Sequence, residues 1–68
     1  MITEIGIVAG EIWHYLDKHG DSSLDEIVSG ISQSKNLILM SLGWLAREGH
    51  VLVRSEKDSL RASLRQRS

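Results

Sequence analysis

The sequence predicts a mainly α fold of the α+β class: three helices followed by a C-terminal two-stranded β-hairpin. Three observations carry this. Apolar residues recur at helical spacing through most of the first 48 positions, interrupted at Gly20 and Gly30. Ser23 and Glu26 stand at the S-x-x-E spacing of a capping box, in which each side chain satisfies the other's backbone amide. After Gly49 the period drops to two, in "HVLVRS" and again in "LRASLRQ", with "EKDS" as the turn between them.

The first helix is expected from about Thr3 to His19. Ile5, Val8, Ala9, Ile12, Trp13 and Leu16 fall on one stripe, the pattern of a helix that buries one face. Thr3 is the expected N-terminal cap, Glu4 suits the positive helix end, and Gly20 is the stop. Gly6 and Gly10 lie inside the helix, where each costs up to about 1 kcal/mol against alanine, so a close contact is expected over them. A short extended piece near Ser22–Leu24 leads into the second helix, whose apolar face is Leu24, Ile27, Val28 and Ile31 and whose end is Gly30.

The third helix takes its cap from Ser32 or Ser34 and runs to about Glu48, with Gly49 as its stop. Ile38, Ser41, Leu42 and Leu45 form the natural core face, with Leu37, Met40 and Trp44 beside it. Apolar residues go almost all the way round, which is normal for a helix covered on more than one side. In the hairpin, Leu60, Ala62 and Leu64 face one way, and Arg61, Ser63 and Arg65 the other.

Sixty-eight residues make one domain, expected over 1–68, and the initial Met makes it read as a complete chain. A chain this short buries only about 60% of the surface its unfolded form exposes. No cysteine is present, so neither disulfides nor thiolate metal sites contribute. The acidic N-terminus does not fit a signal peptide, and no apolar run approaches the ~20 residues of a membrane span; a soluble cytoplasmic protein with no membrane partner is expected. The net charge of −1 conceals a division. Residues 1–33 hold Glu4, Glu11, Asp17, Asp21, Asp25 and Glu26 against Lys18, net −5. Residues 34–68 hold seven basic residues against three acidic ones, net +4. A basic half is the electrostatic mark of a polyanion-facing surface, though short chains also show such imbalance for solubility alone.

Catalytic chemistry finds no support in the residues. The serines lack His–Asp partners at plausible positions, and "GIVAGE" has the wrong spacing for a phosphate loop. His14 and His19 are five apart, off the spacing of a helical ligand pair, so no metal and no cofactor is expected and the three histidines read as surface residues.

The capping box "SLDE", the helix ending at Gly30, the helix "SKNLILMSLGWLARE", its stop at Gly49 and the hairpin "VLVRSEKDSLRASL" together resemble a winged helix-turn-helix domain. The step Leu45–Gly49–Val51 is a frequent transition into the wing of such domains. More closely, "EIGIVAGEIWHYL" followed by "SLGWLAREG" is similar to a small bacterial and archaeal family of stand-alone winged-helix proteins of unknown function. The resemblance implies double-stranded DNA as partner and transcription regulation as the role, with the third helix in the major groove and the wing on the backbone. Carried onto this chain, it implies groove-facing positions Ser34, Lys35, Asn36, Leu39, Gly43 and Arg47, and phosphate contacts at Arg54, Lys57 and Arg61. Arg65 and Arg67 extend the basic strand, either as backbone contacts or as a solvated edge. The amides opening the third helix, with Ser32 and Ser34, are suited to holding a phosphate.

Each assignment has a plainer rival. Asn36 tolerates a helix end, Arg47 complements a helix dipole, and Glu56 and Asp58 cancel much of the charge of Lys57. Leu39, Met40 and Trp44 fit DNA poorly. Trp44 packs against the hairpin as core, or these residues, with Ile7 on the first helix, form an interface to a protein partner or a second copy.

Overall fold

A computed structural model describes residues 2–65, and its elements follow the order α1 (Ile2–His19), β1 (Ser22–Ser23), α2 (Leu24–Gly30), α3 (Lys35–Arg47), β2 (Val51–Glu56) and β3 (Ser59–Leu64). Arg67 of the basic stretch lies outside the described residues. The helices pack on one side of a three-stranded antiparallel sheet of order β1-β3-β2, so the short extended piece before α2 becomes a strand paired with the C-terminal hairpin. The expected architecture of three helices and a C-terminal hairpin is the observed one.

Helix ends follow the local chemistry. Ser23 caps α2, its hydroxyl accepting from the Glu26 amide at 3.1 Å while the Ser23 amide donates to the Glu26 carboxylate at 2.8 Å. Ser34, not Ser32, caps α3, accepting from the Leu37 amide at 3.2 Å. At the far end of α3 the amides of Gly49 and His50 reach back to the carbonyls of Ala46 and Leu45, a Schellman closure that needs the positive φ of +79° at Gly49. That turn sets the direction in which β2 leaves. α1 stops in a related way, with Gly20 at φ +76° and its amide on the Leu16 carbonyl. Thr3 does not cap α1: the helix already begins at Ile2, which places Thr3 inside its first turn.

The core gathers Val8, Ala9, Ile12 and Leu16 from α1, Ile27 and Ile31 from α2 and the loop after it, and Ile38, Leu42 and Leu45 from α3. Val51 and Ala62 from the hairpin complete it. Ser41 joins them fully buried, and its small side chain suits the place where helices meet.

Three further sequence expectations need correction. Trp13 is not on the buried face; it sits at the rim, 37% exposed, with its ring edge-on to His14 at 5.6 Å. Ile12 and Leu16 already fill the stripe, and residue 13 points about 100° away from Ile12 around the helix. The close contact expected over Gly6 and Gly10 is absent, since a Cβ at either would meet no atom within 4 Å. The glycine that does admit a neighbour is Gly30, where an added Cβ would run into the Tyr15 ring, 3.1 Å from its Cζ and nearer still to Cε2. Finally, Trp44 is not ordinary core. Nearly half its surface is open, as is that of Met40.

Candidate nucleic-acid interface

α3 buries one face and leaves the other open. Ile38, Ser41, Leu42 and Leu45 point inward. Asn36, Met40, Gly43 and Arg47, spaced three or four apart, line the opposite, exposed face. Lys35 and the Ser34 cap are exposed at its N-terminal end, Leu39 is half-buried on one flank, and Trp44 is exposed on the other. A Cβ at Gly43 would meet nothing within 4 Å, so this point of the helix is a shallow place where another molecule's backbone can come close.

The hairpin closes through a two-residue loop, Lys57–Asp58, with Glu56 facing Ser59 across it. Lys57 takes a positive φ of 55°, which suits the tight turns joining right-twisted strands but is unfavourable for a residue with a Cβ. Lys57 is exposed at the tip. Among the described residues, Lys35, Arg47 and Lys57 hold no ion pair.

Arg54 and Arg61 are placed differently. They stand directly opposite each other on β2 and β3. Like charges so placed repel, and the Asp21 carboxylate relieves the repulsion by bridging them. Arg54 Nη2 donates to Asp21 Oδ2 at 2.5 Å and Arg61 Nε to Asp21 Oδ1 at 2.9 Å. Arg54 also reaches Glu56 and the Ser63 hydroxyl, both at 3.4 Å. The hydrogen bonds from Arg54 first, and Arg61 second, hold the Asp21 carboxyl below the usual aspartate value, and Asp21 in turn raises the Arg54 guanidinium above its own. Two of the three expected phosphate contacts on the wing are thus occupied by a carboxylate of the same chain.

Of the positions expected to face the groove, the fold gathers Asn36, Gly43 and Arg47 on one helix face and sets Ser34 and Lys35 at its start. It leaves Leu39 partly covered. Ile7, the apolar residue expected to stand out on α1, is 59% exposed. Asp21 is the residue that sequence reasoning missed. It lies 33 and 40 positions from its two arginines, and nothing local distinguishes it from the other acidic residues of the N-terminal half. Among the described residues no group of histidines and carboxylates is placed to hold a metal ion, and no helix is long and apolar enough to cross a membrane.

Comparison with known proteins agrees with this architecture. Residues 1–64 match the family described as a winged helix-turn-helix domain, DUF2582. An uncharacterized protein of Methanocaldococcus jannaschii, MJ1608, is 38% identical over 53 residues, covering 74% of each chain. No solved structure matches the chain. A family match across nearly the whole length, joined to three helices and a paired wing in the expected order, leads to one conclusion: this chain belongs to the winged helix-turn-helix family DUF2582.

Proposed function

We propose that the protein binds double-stranded DNA, in the role of a small transcriptional regulator, through the outer face of α3 and the tip of the wing. The observation that carries this reading is the division of α3: its core face is buried in the domain, while Lys35, Asn36, Gly43 and Arg47 stand outward beside an N-terminal end capped by Ser34. Asn36 supplies the bidentate amide suited to adenine. Lys35, Arg47 and Lys57 supply phosphate contacts, and the first amides of α3 add the field of a helix N-terminus. Arg54 and Arg61 are engaged by Asp21, so they contribute direct contacts only where a phosphate displaces that carboxylate.

With three phosphate contacts, binding falls with a logarithmic salt slope of about −2.7, so a fourfold rise in salt weakens it roughly 40-fold. The test is a titration of labelled protein with generic duplex DNA at low salt, followed by amide shifts. Shifts are expected at Ser34–Asn36, Gly43, Arg47 and Lys57, collapsing as salt rises. Lys57→Glu should weaken binding to all sequences alike. Gly43→Ala should leave the fold intact yet weaken binding where the duplex approaches the helix. A spectrum indifferent to DNA at low salt would sink the proposal.

A second reading has its own support in the open surface of Met40 and Trp44, near the middle and one flank of the same helix face. Aromatic and methionine side chains are enriched in protein interfaces. In that reading the fold serves a protein partner or self-association. Broadening centred on Met40 and Trp44 that grows with protein concentration and ignores DNA would favour it.

A further inference from the structure

β2 is an edge strand. In the order β1-β3-β2 its only neighbour among the described residues is β3. The register runs one-to-one from Val51 opposite Leu64 to Glu56 opposite Ser59, with no bulge to twist the edge away. The ladder also settles which backbone groups the edge presents. The Arg65 amide donates to the His50 carbonyl, while the His50 amide is taken by Leu45, so His50 stands opposite Arg65 at a hydrogen-bonded position of the ladder with one of its two bonds made. Hydrogen-bonded pairs alternate along an antiparallel ladder, so Leu52, Arg54 and Glu56 turn their amides and carbonyls toward β3. Val51, Val53 and Ser55 turn theirs to the open side.

Edge strands are ordinarily protected by proline, bulges or free charges. The chain contains no proline. The charge nearest the middle of this edge, Arg54, is drawn off along the outer sheet face by Asp21 and Glu56. The residues left beside it are Leu52 and Val53, 51% and 38% exposed.

We infer that the open edge of β2 pairs with β2 of a second copy of this chain, antiparallel about a twofold axis at Val53. One register places all of the outward-facing residues against one another. In it Val53 exchanges both backbone hydrogen bonds with Val53 of the second copy, and Val51 exchanges both with Ser55. A shift by two positions leaves outward groups unpaired, and a shift by one sets outward groups against inward ones. The same register is complementary in its side chains. It brings Glu56 opposite His50, a carboxylate against an imidazole, and lays Leu52 beside the aliphatic stem of Arg54, whose charge Asp21 already neutralises. The result is a continuous sheet across both copies. The paired stretch is short beside the ~800 Å² per partner of a standard interface, so the dimer is weak and forms only at high protein concentration.

Sedimentation equilibrium and amide hydrogen exchange of the full chain, at low micromolar and at millimolar concentration, test this. The amides of Val51, Val53 and Ser55 should exchange at least several-fold more slowly at high concentration, while those of Leu52, Arg54 and Glu56 should not change. Val53→Pro removes an outward amide without breaking a bond to β3 and should keep the protein monomeric. If that variant fails to fold, Ser55→Pro removes another outward amide at an exposed position and should act in the same sense. Concentration-independent exchange at the three outward amides would overturn the inference. So would a dimer that survives in a folded proline variant, which takes the contact away from β2, or one abolished by Met40→Glu with Trp44→Glu, which places it on α3.

Discussion

A single carboxylate, Asp21, decides how the wing carries its charge. It joins the acidic half of the chain to the basic half and holds two facing arginines in one arrangement. Both ends of each contact are about a third exposed or more, so the stabilisation is modest and screened by salt. Its sign is clear. The folded carboxyl sits below its ordinary value, so between that depressed value and about 3.9 the unfolded chain binds more protons. The stability it contributes is present above pH ~4 and is lost as pH falls through the depressed value. Asp21→Asn should therefore lessen the drop in melting temperature below pH 4, leaving the part due to Glu26, whose carboxyl its bond with the Ser23 amide likewise holds low. A pair of melting curves taken across that pH range checks it; equal slopes in the two proteins would mean that the bridge does not persist in solution. Ser41 is the opposite case, a fully buried hydroxyl with no hydrogen-bond partner among the described residues, which costs stability rather than adding to it.

At the scale of elements, α1 is held below its attainable stability by glycines that touch nothing. Gly10→Ala, and separately Gly6→Ala, should each raise stability by about 0.5–1 kcal/mol, read as a shift of the thermal or urea transition, because the new methyl meets open space and the unfolded chain loses freedom. Gly30→Ala should do the reverse, because the methyl strikes Tyr15. These glycines show where the sequence is legible and where it is not. The capping box at Ser23, the cap at Ser34, the stop at Gly49 and the alternation of the hairpin are signals spanning a few residues, and each lies where its spacing puts it. Whether a glycine is crowded depends on which helix lies over it, and that contact joins Tyr15 to Gly30 across fifteen positions. Trp13 falls on the apolar stripe yet outside the core for a similar reason: the stripe of α1 is wider than the core it meets. The outward face of α3 was readable from helical geometry, but the capture of Arg54 and Arg61 by Asp21 was not, because charge composition carries no record of pairing.

Taken whole, the molecule has an incomplete core without its wing. Val51 and Ala62 are as fully buried as the helical core residues, and Leu64 packs against the same cluster. A chain ending at Gly49 would strip that cover from Leu42 and Leu45 in a domain with little stability to spare. Such a truncation should lose its cooperative thermal transition by circular dichroism, while the full chain unfolds in one step; a sharp transition in the truncated chain would show that the helices stand alone. The wing is then a structural member as well as a contact surface, and changes to its tip at Lys57 are safer probes of binding than changes along its strands. The surface positions of the two tryptophans bear on how all of this is observed. Trp13 and Trp44 are 37% and 46% exposed in the folded protein, so their emission already lies toward that of tryptophan in water and moves further to the red only by the part that unfolding uncovers. A blue shift in tryptophan emission, by contrast, reports that something has come to rest on α1 or α3: the protein carries its own dye for whatever it binds.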